Sequence, residues 1–439
     1  PMTAQTVLWM FPVLLGLIFL GFPVAFSMMI AALGFGLLRF GGTLVHQFAQ
    51  RVDDLATNYV LGAIPLFIFM GSILERAGIA EKLFDALYMW TRRLPGGLAV
   101  AALLMCTIFA AASGVVGATE TLVGMLAIPA MTKRRYDNSL IAGTICGGGS
   151  LGTIIPPSVP VVVLAPIAAM SIGDLLAGIL IPGLLMSALF IVYILIICTL
   201  KPALAPPETE PDPRSLAEKI KFTLIALIPP AFLIFTVLGT LFMGLATPTE
   251  AAACGCLGVL LLAIIYRRMS WSLMFQAALQ TVSLTAMILA IILAGGMFSG
   301  VFFASGGMSA TKAVLDAFGL SPWSVIAIIL FVAFILGFLI DSISIILIIV
   351  PIAIPLVKSF GIDPLWFAVV LLVTLQTAYL TPPMAPSIFY LKAIAPPTMK
   401  LKHMYWGVIP FICCQLAVLA LLIAFPGLAT WMPKVMYGN

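Results

Sequence analysis

The sequence predicts an all-α polytopic membrane protein. Its two halves read as inverted repeats, each with a re-entrant hairpin and a helix broken at a Pro-Pro pair. Three observations predict it. Of the 439 residues, 63% are hydrophobic and 8% charged, against about 45–50% and about 25% in soluble domains. Most of the chain divides into apolar runs near or above the roughly 20 residues that span a bilayer. A set of Pro and Asp residues recurs at one fixed offset. The mean hydropathy of +1.22 excludes a soluble globule, a disordered chain and a nucleic-acid-binding domain. An outer-membrane barrel does not fit either. Its strands alternate over about ten residues, whereas runs such as 175–200 and 220–243 are continuously apolar.

Taken in order, the membrane segments are 6–20, 22–39, 59–75, 97–131, 139–170, 174–200, 220–243, 246–266, 272–300, 322–358, 364–391 and 404–430. Three are too long or too interrupted to be simple helices. Segment 97–131 carries Ser113, Gly114 and Gly117 near its centre. Segment 139–170 carries Gly147–Gly149, then Pro156, Pro157 and Pro160. Segment 322–358 carries Gly337 and Asp341. Residues 75–93 place Leu83, Phe84, Leu87 and Tyr88 at helical spacing among charges, as in an interfacial amphipathic helix. The Pro-rich, mixed-charge stretch 201–219 is a cytoplasmic linker between a first half, 1–200, and a second, 220–439. The seven Cys lie in apolar surroundings and read as small buried hydrophobes rather than a disulfide or redox set. The start of the chain has no basic region or clear cleavage site of a signal peptide.

The repeat rests on Pro129 with Pro355, Asp137 with Asp363, Pro156–Pro157 with Pro382–Pro383, and Pro160 with Pro386, each pair 226 apart. Loops that are basic in one half are not basic in the other. Lys133–Arg135 correspond to Ser359–Gly361, and Lys400 and Lys402 to Asp174 and Leu176. Under the positive-inside rule equivalent loops then face opposite sides, the mark of inverted topology. The resulting threading leaves only Arg39, Arg51, Lys312, Lys358 and Lys434 of the 21 basic residues outside.

Non-helical backbone inside a membrane is tolerated where protein buries it or a cavity needs it. Each Pro-Pro pair removes backbone donors and frees carbonyls. These are hard, neutral ligands suited to sodium, while adjacent helix starts suit an anionic substrate group. The same prolines also fit simple packing kinks. An ionisable group in an apolar run is functional by default. Asp341 is the strongest candidate, as a cation ligand, as the acceptor that shapes a cation site, or as a helix cap at a hairpin turn. Glu120, beside Thr119, divides between coupling and structure, with partial solvation at a hairpin tip. Thr144, Ser150, Thr153 and Ser158 surround the first break; Thr374, Gln376, Thr377, Thr381 and Ser387 surround the second. Ser150, Ser158, Gln376 and Thr377 make up a candidate substrate region. Thr153, Pro156 and Pro157 are further coupling candidates. Glu250, after Thr247, reads as a helix cap. His46 falls in a loop, and neither His sits in a metal-ligand pattern. No nucleophile elbow or Walker loop is present. Trp9, Trp90, Trp271, Trp406 and Trp431 lie near segment ends, as an interfacial belt requires.

With IPLFIFMGSILERAGI (64–79), AIPAMTKRRYDNSLIAG (127–143), GTIIPPSVP (152–160), ATPTEAAA (246–253), FLIDSISIILIIVPI (338–352) and LTPPMAP (380–386), the chain resembles the large membrane subunit of tripartite ATP-independent periplasmic (TRAP) transporters, the DctM-like family. The resemblance covers almost its full length. At 118–120 it departs: many relatives have Ala-Asp-Ala where this chain has Ala118-Thr119-Glu120. The resemblance implies an elevator-type secondary transporter in the bacterial inner membrane, not an enzyme. It also implies a small four-helix (DctQ-like) membrane subunit, a periplasmic substrate-binding (DctP-like) protein, surrounding lipid, and a small organic-acid substrate driven by sodium. One sodium site would form around Ser113, Gly114 and the backbone near Asp341, another around Thr381, Pro382 and Pro383. A self-sufficient sodium-coupled anion transporter is the alternative within transport, and an ion channel the alternative outside it.

Overall fold

The computed structural model describes residues 5–438. Helices α1 (Met10–Phe19), α2 (Val24–Phe40), α3 (Thr43–Thr57), α4 (Ala63–Arg76) and α5 (Ile79–Thr91) lead into α6 (Gly97–Ser113) and α7 (Ala118–Lys133). Then follow α8 (Asn138–Ser150), a 3-10 turn at Leu151–Thr153, α9 (Val159–Ile167) and α10 (Ile172–Leu200). The second half begins with α11 (Leu216–Ile234), a π-helical turn at Phe235–Gly239 and α12 (Thr240–Phe242). It continues through α13 (Pro248–Ile265), α14 (Trp271–Ala304), α15 (Gly307–Ala317), α16 (Pro322–Leu336) and α17 (Ser342–Ser359). It ends with α18 (Pro364–Leu380), α19 (Pro386–Ile394), α20 (Leu401–Ala424) and α21 (Gly427–Tyr437). Among the described residues, seven helices are long and apolar enough to cross a membrane.

Local chemistry explains many of the boundaries. Asp137 accepts hydrogen bonds from the backbone N–H groups of Ser139 and Leu140, and Asp363 from that of Leu365. The repeated aspartates are thus N-caps of α8 and α18, satisfying N–H groups that a helix start leaves free. Ser215 with Glu218, and Thr247 with Glu250, form capping boxes, which gives Glu250 the capping role read from its sequence. The paired Pro129 and Pro355 lie inside α7 and α17. Both Pro-Pro bonds, 156–157 and 382–383, are cis.

Four expectations change. Four of the seven Cys are buried as expected, but Cys254 and Cys413 are exposed and Cys414 is half-buried. His46 lies in α3, not in a loop. The stretch after 300, left outside any membrane segment, contains α15, bent by 117° from α16. Segment 404–430 is two helices that part at Phe425–Pro426. Helices α3 and α15 escape a hydropathy reading because their sequences interleave charged and apolar residues. The five tryptophans near segment ends are all exposed.

Helices α1, α2, α4, α13 and α14 pack as one group, and α6–α10 with α16–α21 as another. Within the second group α8 and α20 cross backbone to backbone. A Cβ on Gly143 would come 2.1 Å from the Gly407 carbonyl oxygen, and one on Gly407 would come 2.1 Å from that of Ser139. The linker is tied down. Glu208 accepts from Arg92 at 2.5 Å, from Arg134 at 2.6 Å and from the Tyr88 hydroxyl. Asp212 pairs with Arg92 and Lys219. These contacts join α5, the end of α7 and the start of α11.

Candidate transport site

The two hairpin tips, 114–117 and 337–341, and the segments after both Pro-Pro breaks wall one cavity of about 450 Å³. Gly114 stands at the first tip with φ +67° and lies so close to the first break that a Cβ there would approach the Pro157 carbonyl oxygen to 2.5 Å. Its own carbonyl accepts from the Val159 N–H at 3.4 Å. Only glycine combines that backbone conformation with that approach. Ser113 and Thr119 hydroxyls sit 3.4 Å apart behind the tip, and Thr119 bonds the Val115 carbonyl. The first break, including Pro156, Pro157 and Ser158, is buried, and Ser158 donates to the Thr153 carbonyl at 2.8 Å. The second is more open: Thr381 and Pro382 are half-buried and Pro383 is exposed. Thr381 spends its hydroxyl on the Thr377 carbonyl at 2.7 Å.

Asp341 lies on the cavity wall and caps α17. Its two oxygens accept from the backbone N–H and the hydroxyl of Ser344. Gly114 faces the same cavity, whereas Ser113, expected to share a cation site with them, is buried behind the tip and does not line it. Glu120 differs from expectation: it is wholly buried rather than partly solvated at a tip. It accepts from Ser387 at 2.8 Å and Tyr379 at 3.2 Å, which ties α7 to α18 and α19. A Cβ on Gly149 would lie 2.5 Å from the Glu120 Cβ, so α8 is shaped to receive this side chain.

Of the other candidates, Thr153 lines the cavity. Ser150, Ser158, Gln376 and Thr377 are buried behind its wall. Gln376 and Gln415 both donate to Ser150, which donates to the Gly147 carbonyl. Thr377 bonds the Val373 carbonyl within its own helix. Sequence reasoning missed Gln415, Tyr379, Phe389 and Tyr390. The single amide in the run FICCQLAV was a usable signal for Gln415. Tyr379, within LQTAYL, and Phe389 and Tyr390 after it carried none, because an aromatic in an apolar run is ordinary packing.

The cavity wall contains no Lys, Arg or His, and Asp341 is its one carboxylate. Helices α9, α17 and α19 all begin there. The starts of helices carry partial positive charge, here partly offset at α17 by the Asp341 cap. Among the described residues, no group of three or more His, Cys, Asp or Glu comes together as a transition-metal site.

Residues 11–428 match the family described as tripartite ATP-independent periplasmic transporter, DctM component. The C4-dicarboxylate TRAP transporter large permease protein DctM of Pseudomonas aeruginosa is 31% identical over 399 residues, covering 91% of this chain and 92% of that one. The ectoine TRAP transporter large permease protein TeaC of Halomonas elongata is 30% identical over 435 residues, covering 95% and 97%. The fold is shared with the YdaH transporter of Alcanivorax borkumensis, at TM-score 0.64 and 16% identity, over 98% of this chain and 100% of that one.

Proposed function

The chain belongs to the DctM family of tripartite ATP-independent periplasmic transporters, and we propose that it is the substrate-translocating subunit of a sodium-coupled importer for an organic acid. It works in the inner membrane with a small membrane subunit and a periplasmic binding protein that delivers the acid. The supporting observation is the single cavity walled by both hairpin tips and both post-break segments. An acid entering it meets no basic side chain. Its charge is therefore balanced by cations that travel with it, held by backbone carbonyls and hydroxyls around Ser113, Gly114 and Asp341 and around Thr381–Pro383. Two sodium ions per monoanion carry one net charge inward, worth about 2.3 kcal/mol per 100 mV. The two halves, inverted across the membrane, supply the two gates of an elevator cycle.

The test is uptake by proteoliposomes holding the co-purified membrane subunits, with the binding protein added outside. Accumulation should require an inward sodium gradient and the binding protein together. Equal uptake in choline rejects sodium coupling. Equal uptake without the binding protein favours a self-sufficient transporter.

A further inference from the structure

The substrate class can be narrowed, on the premise that this cavity is the substrate site. Its walls are mostly apolar and aromatic. Leu284 and Met287 come from α14, Phe338 from the second hairpin, and Tyr379, Phe389 and Tyr390 from α18 and α19. The Tyr390 ring lies against the first hairpin tip, where a Cβ on Gly117 would come within 2.8 Å of it. The polar side chains that face the space are few and scattered: Thr153, Asp341, Ser342, Tyr379 and Tyr390. The Tyr379 hydroxyl is given to Glu120, and the Asp341 carboxylate accepts from Ser344.

We infer that the cavity takes a monocarboxylate with an apolar, ring-sized body, in preference to a dicarboxylate or a polyhydroxylated acid. A buried polar group without a partner is strongly unfavourable. A second carboxylate would find no basic side chain on these walls, and a row of hydroxyls only three scattered hydroxyls, on Thr153, Ser342 and Tyr390. An apolar body instead gains from every wall it touches, and an aromatic one gains ring contacts as well. The volume of about 450 Å³ lies in the range of small-molecule sites. The one carboxylate is balanced by the co-transported cation.

The test is binding to the purified permease with its co-purifying membrane subunit, read by calorimetry in sodium and in choline. The probes are benzoate, cyclohexanecarboxylate, succinate and gluconate, with benzyl alcohol as the uncharged control. In sodium, benzoate and cyclohexanecarboxylate should bind at least tenfold more tightly than succinate, gluconate or benzyl alcohol. Phe389→Ala and Met287→Gln should each weaken benzoate at least fivefold. Two variants from different helices guard against one that fails to fold. Succinate or gluconate binding as tightly as benzoate, in sodium only, overturns the substrate class and leaves the importer reading standing. Benzoate bound equally in choline keeps the class and removes sodium coupling. A benzoate affinity indifferent to both variants places the ligand elsewhere and overturns the inference. Binding by none of the probes does the same.

Discussion

Gln376 donates through its side-chain amide to the Ser150 hydroxyl at 3.2 Å, and the two residues are 226 positions apart. That separation is the offset at which Pro156–Pro157 recurs as Pro382–Pro383 and Asp137 as Asp363. The hydrogen bond thus joins two positions separated by the offset of the sequence pairs. Gln415 adds a second amide to the same hydroxyl at 3.1 Å, and all three side chains are fully buried.

Ser150 is therefore the acceptor for two buried amides. Ser150→Ala leaves both without that partner, at about 1–3 kcal/mol for each unsatisfied group. Its melting temperature in detergent should fall by several degrees. Gln376→Leu should cost far less in the Ser150→Ala background than in the native one, since contacting residues do not add. Additive losses would show that the pair is not coupled.

Glu120 and Gly149 form a second matched pair. Gly149→Ala forces a methyl onto the Glu120 side chain, 2.5 Å from its Cβ, and overpacking of this kind costs about 1–3 kcal/mol. Glu120→Gly removes the Cβ and with it the obstruction, along with the bonds to Ser387 and Tyr379. The double variant should then be more stable than the sum of the single losses predicts. Thermal melts of the four proteins complete the cycle, and strict additivity would deny the steric fit.

What could be read from the sequence was what depends on nearby residues or on the repeat. The caps Asp137 and Asp363 are local chemistry. The breaks at Pro156 and Pro382 follow from missing donors. The offset also held a signal left unused: α5, recognised by its amphipathic spacing, has its counterpart at 305–317, where α15 lies. The surroundings of Glu120 were not legible, because Ser387 and Tyr379 reach it from 267 and 259 residues away. Polar residues flanking a break also look alike in sequence. Only packing separates Thr153, on the cavity wall, from Ser150 and Gln376 behind it.

The linker anchor gives a pH prediction. Burial alone would raise the Glu208 carboxyl. The Tyr88 hydroxyl, Arg134 and Arg92 outweigh it and hold the group below its ordinary value. A carboxyl lowered in the folded state stabilises above its unfolded pKa, and that contribution is lost as pH falls through the folded one. Linker segment 205–214 should resist proteolysis at neutral pH and open as acid protonates Glu208. Glu208→Gln should be cleaved faster at pH 7 and lose the acid-dependent step. A step unchanged in Glu208→Gln would assign it to another group.

Asp341 combines two roles that one substitution can separate. As the cap of α17 it needs an acceptor, not a charge: its oxygens receive the Ser344 N–H at 3.0 Å and the Ser344 hydroxyl. Asn caps helices about as well as Asp, so Asp341→Asn should change the melting temperature little. Asp341→Ala removes the acceptor and should cost about 1 kcal/mol or somewhat more. If the carboxylate also helps to hold a co-transported cation at the cavity wall, Asp341→Asn should raise the sodium concentration for half-maximal uptake at least tenfold while the protein stays folded. Normal sodium dependence in Asp341→Asn, together with a clear loss of stability in Asp341→Ala, would leave Asp341 as a cap alone. The cation would then be held by the carbonyls that the hairpin tips and proline breaks set free.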